Sequence, residues 1–383
     1  MAGVQVKPRL KEFSAAARYR LRWIAFSWMM GVTIFNGVNL ALKKPTLAEY
    51  AGTHDDPVMR VLMFTALTGW LALGFKFPAV VALGPWLERR LRGSARMVRV
   101  RDVVQPGIRM AALWGGGLQF LYQAVVITLV TELSPAGISA AKACAIIPLA
   151  FMELYFGQMK PKGRMWWLRL VSSIVFTIVG ASIVIFEGGF KLFQGNGIWA
   201  VVALIAFTLF GNGLLAYAEI QEYRGVHDGV AAAPVYSLAR IVVYALSGVA
   251  AVVLWGLFQT ARGNGAASWS TAINVVHMCS DRWWLVLPVA IIGAICDTSR
   301  ICVKVLITAT DMYTMLAMAV VVDILLQVPL KYYWPEVYDN VYPGLHTAII
   351  AGLGALWLAM GIVVHPRPSK EDLQQSALVA TPG

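Results

Sequence analysis

Charged residues are scarce in this sequence, at 14% of 383 residues, against about 25% in an ordinary globular domain. Hydrophobic residues make up 58% of the chain. A water-soluble domain has too little interior to bury so large an apolar fraction. The composition therefore excludes a soluble fold and indicates a membrane protein.

Cysteine is rare as well. Of the four cysteines, Cys144, Cys296 and Cys302 lie within apolar runs, and only Cys279 falls in a predicted loop. No two of them have the CxxC spacing of a metal or redox pair, and four scattered residues do not form a disulfide framework. We expect no metal site and no structural disulfide.

Catalytic motifs are also lacking. The sequence contains no nucleophile elbow, no HExxH motif and no glycine-rich loop that would cradle a phosphate. The histidines fall at the ends of apolar runs or in predicted loops: His54, His227, His277, His346 and His365. We therefore expect neither an enzyme nor a cofactor-binding protein.

Apolar runs of about 20 residues recur along the chain, and this is the length that a helix needs to cross a hydrocarbon core of ~30 Å. A membrane β-barrel would show short alternating stretches instead. We predict an all-α polytopic membrane protein with about ten transmembrane helices, here called spans one to ten. The predicted spans cover residues 23–42, 61–86, 107–130, 136–158, 166–187, 197–218, 232–257, 284–306, 311–330 and 344–364.

The net charge of +12 arises from cations beside the apolar runs and not from a basic, aromatic-interleaved face, so nucleic acid is not an expected partner. Two clusters flank the first two spans: Lys7, Arg9, Lys11, Arg18, Arg20 and Arg22, and Arg89, Arg90, Arg92, Arg96, Arg99 and Arg101. Because cytosolic segments carry an excess of Lys and Arg, we predict that both termini are cytosolic. The membrane would be that of the ER or Golgi in a eukaryote and the plasma or inner membrane otherwise.

Two segments outside the spans have weaker patterns. The loop at 258–283 contains an apolar, partly amphipathic piece, so it either lies on the membrane surface or is a flexible connector. Residues 367–383 form a short polar tail, which we expect to be cytosolic and disordered.

The two halves of the chain share short similar segments, at residues 1–190 and 191–366. The matches pair 33–41 with 208–216, 129–131 with 306–308, and Gly180 with Gly361. Each half then holds an odd number of spans, so the second half enters the membrane from the opposite side. This pattern predicts two inverted five-helix repeats, as in many secondary transporters.

Ionisable residues inside the spans are informative because each costs roughly 2.5–3.5 kcal/mol at mid-bilayer. We predict that they line a substrate cavity: Lys76, Lys142, Asp297, Arg300, Lys304 and Asp323. Helical spacing places Asp297, Arg300 and Lys304 on one face of span eight. Cations outnumber carboxylates in this set, which favours an anionic solute that carries a phosphate or pyrophosphate.

The same residues also have structural interpretations. Asp297 and Arg300 can form an internal ion pair, while Lys304 extends to the cytosolic interface. Lys76 either extends to the interface or pairs with Asp323.

Further polar residues lie within or near the spans. Arg240 in span seven is close enough to the cytosol to be an interfacial anchor. Neutral polar side chains either hold helices together or select the solute: Asn36, Asn39, Tyr122, Gln123, Asn212 and Tyr217. Among these we assign solute selectivity to Asn36, Tyr122, Gln123 and Asn212.

The run LYQAVVITLVTELSPAGISAAKACAIIPLAF across spans three and four, the two five-span halves and the Gly180 end of span five resemble the drug/metabolite transporter superfamily. The resemblance covers nearly the whole chain. Ala141-Lys142-x-Cys144-x-x-Ile147-Pro148 is similar to a pattern in span four of nucleotide-sugar transporters of the UDP-galactose and sulfonucleotide branch. The resemblance implies that Lys142 faces the phosphates of a nucleotide. Ala145 stands where that branch has a second lysine, and Arg300 is our candidate for the missing cation.

We therefore expect an alternating-access carrier that exchanges a nucleotide sugar or an organic phosphate. Lys142 contacts the anion from the outer side and Arg300 from the inner side, and Asp297 holds Arg300 when the site is empty. The expected partners are the solute and membrane lipids, and a homodimer is compatible with the pattern. Two alternatives stay open: an exporter of amino acids, amines or drugs driven by protons on Asp323 or Asp297, and a carrier-derived structural subunit of a membrane complex.

Overall fold

The computed structural model describes residues 15–48, 56–92, 106–132, 134–155, 163–189, 233–303, 318–338 and 345–366, together with Gly213, Leu214 and Tyr217. These residues are 95% helical and contain no strand. Their helices are α1 (Ala15–Ala48), α2 (Pro57–Arg92), α3 (Pro106–Glu132), α4 (Pro135–Ala143), α5 (Ile146–Tyr155), α6 (Arg164–Gly189), α7 (Ala233–Ala261), α8 (Gly265–Asp281), α9 (Trp283–Val303), α10 (Met318–Tyr333), α11 (Pro335–Tyr338) and α12 (Leu345–Val364).

Seven of the described spans are long and apolar enough to cross a membrane, or up to eight if the bent pair α8 and α9 counts as one. They overlap predicted spans one to five, seven, eight and ten, and the shorter α10 overlaps predicted span nine. Predicted span six, residues 197–218, lies almost entirely outside the described residues. The all-α polytopic class is therefore borne out, and the number of ten spans stays a prediction.

Large apolar side chains cover the outside of the bundle. Exposed examples occur on every long helix: Trp28, Leu71, Leu121, Phe151, Leu168, Leu254, Ile295, Leu325 and Leu356. Charged side chains, by contrast, are buried within it, among them Lys76, Arg240 and Asp323. Apolar surface outside and ionisable groups inside are the arrangement of a helical protein that lies in lipid.

The most extensive packing between two described helices joins α6 to α12. A Cβ added at Gly180 would lie 2.5 Å from the carbonyl oxygen of Gly354 and 2.7 Å from the amide nitrogen of Leu358. The Ser173 hydroxyl donates a hydrogen bond of 2.8 Å to the carbonyl oxygen of Gly361. Small residues therefore let the two backbones touch, as in other tight membrane helix pairs.

Gly180→Ala is expected to lower stability by about 1–3 kcal/mol, because the new methyl group overlaps backbone atoms that cannot rotate away. Gly352→Ala on α12 is the matched control, since no atom lies within 4 Å of the Cβ it would add. Melting temperatures of the two purified variants in detergent measure the difference. Equal melting temperatures would contradict the close contact between α6 and α12.

Asp56 starts α2 and ties it to two other helices. Its Oδ1 accepts hydrogen bonds of 3.1 Å from the backbone N–H groups of Val58 and Met59, which is the geometry of a helix N-cap. Its Oδ2 accepts hydrogen bonds from the indole of Trp255 on α7 at 2.7 Å and from the hydroxyl of Ser268 on α8 at 2.8 Å. One carboxylate thus joins α2, α7 and α8 at one end of the bundle.

Asp56→Ala is expected to cost about 3 kcal/mol, since it removes an N-cap and two hydrogen bonds to a charged group. Burial raises the pKa of Asp56, but the hydrogen bonds to both oxygens outweigh burial and hold that pKa below its ordinary value. The stabilisation is therefore fully present above an unfolded pKa of about 3.9 and is lost as pH falls through the lower folded pKa. Thermal melts over an acid pH series measure this loss.

The exposed Asp281 provides the control for that series. Asp281→Ala should leave the melting temperature and its pH dependence close to those of the wild type. If Asp56→Ala keeps the wild-type loss of stability in acid, another carboxylate is responsible for it.

The segment between spans seven and eight is not a flexible connector. Helix α7 continues to Ala261, and α8 follows after a short turn and bends by 91° into α9. The inner face of α8 is buried against α2 and α7. Cys279, expected in a loop, lies on α8 and packs against a buried cluster that includes Phe64 and Val286. Of the two alternatives for this loop, the flexible connector is therefore wrong, because its apolar, partly amphipathic piece forms a regular helix, and a position on the membrane surface stays a prediction.

Span four is broken in the middle. Ser134 caps α4, since its Oγ accepts a hydrogen bond of 3.0 Å from the Gly137 amide, and α4 ends before a turn at Cys144 and Ala145. Pro148 explains the break, because it has no N–H to donate to the carbonyl of Cys144 and its ring crowds that group. This broken span is the most completely buried of the candidate spans.

Candidate functional site

Three helices bring two cations onto one carboxylate inside the bundle. Lys76 on α2 pairs through Nζ with Oδ2 of Asp297 on α9, and Arg240 on α7 pairs through Nη2 with Oδ1 of the same carboxylate. The side chains of Lys76, Arg240 and Asp297 are 0%, 2% and 13% exposed. We call this group the Asp297 triad.

The packing of α2, α7 and α9 explains why these side chains meet. Each of the three helices contacts the other two. Gly69 on α2 and Gly116 on α3 let α7 approach closely, since a Cβ at Gly116 would lie 2.6 Å from the carbonyl oxygen of Arg240. A buried carboxylate shared by two cations satisfies charges that would be costly if they were unpaired in lipid.

The triad corrects two predicted roles. Lys76 neither extends to the interface nor pairs with Asp323, because it is buried and its carboxylate partner is Asp297. Arg240 is not an interfacial anchor, because it is buried and ion-paired. The predicted pair of Asp297 with Arg300 stays a prediction, since the Arg300 side chain is outside the described residues.

A second polar group surrounds Asp323 on α10. Asp323 is fully buried and lies within electrostatic range of Lys142 and close to the hydroxyl of Ser139, both on α4. Gly37 on α1 packs directly on the carboxylate, since a Cβ there would lie 2.7 Å from Oδ1. The half-buried Lys142 sits in the last turn of α4, just before the break in span four. We call this set the Asp323 group.

A third polar contact involves a lysine that the sequence reasoning missed. Lys43 on α1 is half-buried, and its Nζ donates a hydrogen bond of 3.4 Å to Oε1 of Gln123 on α3. Asn39, one turn earlier, donates a hydrogen bond of 3.2 Å to the carbonyl oxygen of Val289 on α9. Asn39 thus joins two helices, which is one of the two roles expected for the neutral polar residues.

Other predicted site residues have different surroundings. Tyr122 is buried among apolar side chains that include Leu40 and Ile138. Asn36 is half-buried on α1, and Tyr217 is exposed. Lys304 and Asn212 lie outside the described residues, so their roles stay predictions.

Helix α1 separates the two charged groups. Cys296, which precedes Asp297, donates its thiol to the carbonyl oxygen of Val32 at 3.5 Å, whereas Asp323 contacts Gly37. Five residues on a helix rise about 7.5 Å and rotate through roughly 140°, so the groups lie on different faces of α1 at neighbouring depths. Movement of α1 would therefore change the surroundings of both groups.

Within the described part of the chain, no three His, Cys, Asp or Glu side chains converge into a metal site. The Asp297 triad and the Asp323 group present ammonium, guanidinium and carboxylate groups. Such groups bind anions through charge-assisted hydrogen bonds and can exchange protons.

The fold and the buried charges define a class of protein, an integral helical membrane protein with ionisable side chains inside its bundle. Comparison with known protein families and with curated proteins finds no match for this chain.

Proposed function

We propose that the chain is an alternating-access carrier for a small anionic metabolite, with a nucleotide sugar or an organic phosphate as the substrate class. The Asp297 triad is the observation that carries the proposal. A charged group of this kind is expensive inside a membrane, and transporters retain such groups where a solute passes. An anionic solute can take the place of the Asp297 carboxylate against Lys76 and Arg240.

This exchange of partners supplies a mechanism. In the empty carrier, Asp297 pairs with both cations but offsets only one of their two positive charges, so the triad keeps a net positive charge that attracts an anion. A phosphate group presents more oxygen acceptors than one carboxylate, and guanidinium binds it through paired N–H groups. The arriving anion displaces the Asp297 carboxylate from Lys76 and Arg240. When the anion leaves on the other side of the membrane, the carboxylate pairs with both cations again.

The break in span four also supports a carrier. Discontinuous helices often form transporter sites at mid-membrane, where the ends of half-helices face the solute. Lys142, a member of the Asp323 group, lies at this break. We assign to Lys142 the second contact with the anion, as its sequence context implies.

The helix contacts are consistent with the proposed inverted repeat. Extensive contacts join α2 to α7, α4 to α10 and α6 to α12, each of which pairs a span with the one five later. Gly37 contacts Asp323, and Gly213 contacts Pro148. A Cβ added at Gly213 would lie 3.6 Å from the Cβ of Pro148. The second contact repeats the first after a shift of about 175 residues, as expected of two inverted copies.

The proposed orientation places both termini in the cytosol. It requires the segments after span one and after span seven to lie on the same side of the membrane. Arg282 donates a hydrogen bond of 3.1 Å to the carbonyl oxygen of Pro45, and Asp56 binds Trp255 and Ser268. These contacts bring the two segments to one end of the bundle, as the orientation requires.

The experiment is exchange in proteoliposomes combined with thermal melts of the purified protein. We expect UDP-galactose or a sugar phosphate to exchange and to raise the melting temperature, since a ligand at 100 times its Kd stabilises by about 2.7 kcal/mol. Galactose and uridine are the uncharged controls and should do neither. If no phosphate-bearing solute shifts the melting temperature or exchanges, the proposed substrate class is wrong.

A second candidate is a proton-driven exporter of cationic solutes, which the buried carboxylate of Asp323 favours. Amine uptake against a proton gradient separates the two candidates. An exporter would transport amines and ignore phosphates, whereas the proposed carrier would do the reverse.

A further inference from the structure

Asp323 is the buried ionisable group that the proposed anion site leaves unexplained. Its side chain is fully buried, and neither carboxylate oxygen has a hydrogen bond of normal geometry among the described residues. The nearby Ser139 hydroxyl likewise lacks such a bond within the same residues. A charged carboxylate without hydrogen bonds is costly in an apolar interior, and protonation removes most of that cost.

The charged neighbours of Asp323 are few in the described structure. Among the described helices, α1, α4, α11 and α12 pack against α10. Helix α4 presents the ammonium of Lys142, and α1 presents Gly37 at the carboxylate itself. Helix α12 carries His346 in its first turn, and α11 carries the exposed Glu336 beyond the far end of α10.

Both polar and apolar side chains lie nearby. The buried Gln327 follows Asp323 by one turn of α10, and Cys144, Val320 and Leu358 belong to one buried apolar cluster. Along α1 the nearest described cation is Lys43, which bonds to Gln123. Among the described residues, Lys142 is therefore the charged group that interacts with Asp323.

We propose that Asp323 is a proton-binding site that couples protons to the anion, because its protonation releases Lys142 to bind the phosphate of the solute. This inference rests on the proposed carrier function and adds its driving force. When Asp323 is ionised, it competes with the solute for the Lys142 ammonium. When Asp323 is neutral, the solute can take that ammonium as its partner.

The proton step balances without another reactant. A hydronium ion on one side of the membrane gives its proton to a carboxylate oxygen of Asp323 and leaves water. Release on the other side breaks that O–H bond and returns the proton to water. Gly37 covers one carboxylate oxygen, so access requires α1 to move away from α10, a motion that also affects the Asp297 triad.

The test is net uptake of labelled UDP-galactose or inorganic phosphate in proteoliposomes, with the membrane potential clamped at zero. With one proton per anion, an inward gradient of one pH unit should support about tenfold accumulation by the wild type. Asp323→Asn mimics the neutral carboxyl, so it should keep anion exchange and lose accumulation driven by the pH gradient. Glu336→Gln, an exposed acid on α11, is the control and should behave like the wild type.

Two transport results overturn the proposal. One is a wild type that exchanges the anion but whose accumulation ignores the pH gradient, and the other is an Asp323→Asn variant that still accumulates tenfold. Infrared difference spectroscopy is a second measurement that does not depend on solute. A protonated-carboxyl band that titrates in the wild type and disappears in Asp323→Asn supports the proton site, and its absence from the wild type refutes it.

The two measurements separate this inference from the proposed function. If the wild type exchanges neither probe but the carboxyl band titrates, the anion carrier and its coupling to protons are wrong, and only proton binding by Asp323 stands. If exchange occurs without a titrating band, the carrier stands and the proton site is wrong.

Discussion

Asp297→Asn is expected to lower the stability of the protein more than any other single substitution at the site. The change leaves Lys76 and Arg240 facing a neutral amide within the bundle. Removing one partner from a buried ion pair costs about 3–5 kcal/mol, because the remaining charge is buried without compensation. Melting temperatures in detergent, with folded fraction followed by size-exclusion chromatography, measure the loss.

A double variant distinguishes loss of charge pairing from a general packing defect. Adding Lys76→Met to Asp297→Asn removes one stranded cation, so the double variant should be more stable than Asp297→Asn alone. Such non-additivity is the signature of residues that act directly on one another. Additive losses, or a wild-type melting temperature for Asp297→Asn, would show that the carboxylate does not neutralise these cations.

The triad also shows what the sequence could and could not predict. The long apolar runs identified the membrane helices, because burial of about 20 residues in lipid leaves a strong local signal. They also identified Lys76 and Asp297 as unusual, since charge within a span is rare. The pairing between them was not predictable, because helical spacing relates only residues on the same helix.

Lys43 illustrates a different limit. The predicted end of span one at residue 42 leaves Lys43 outside the membrane segment. The structure continues α1 through Pro45 to Ala48, and the candidate span reaches Leu47. Helix ends are fixed by capping and tertiary contacts as well as by hydropathy, so a polar residue near a boundary is easily misplaced.

The Asp323 group was predictable only in part. Lys142 and Asp323 each stood out as charges within spans, and Pro148 marked a helix interruption. Their proximity depends on the packing of α4 against α10 and on Gly37, which permits α1 to touch the carboxylate. A glycine in an apolar run has many explanations, so its contact could not be inferred from the sequence.

Lys142→Met is expected to separate transport from stability. The substitution keeps an unbranched apolar side chain and removes the ammonium that we assign to the phosphate of the solute. A hydrogen bond to a charged group contributes about 1.5–3 kcal/mol, so solute affinity should fall by roughly ten- to 150-fold. Stability should be unchanged or higher, because one charge fewer is held within the membrane.

The opposite outcome would identify Lys142 as a structural counter-ion for Asp323. In that case Lys142→Met strands a buried carboxylate, the melting temperature falls, and exchange per folded molecule stays at the wild-type level. Lys142→Met combined with Asp323→Asn would then recover stability, since both charges are gone. Lys331→Met, in the last turn of α10, is the control for removing a lysine away from the break in span four. Melting temperature and exchange measured on the same preparations therefore decide whether Lys142 acts on the solute or only on Asp323.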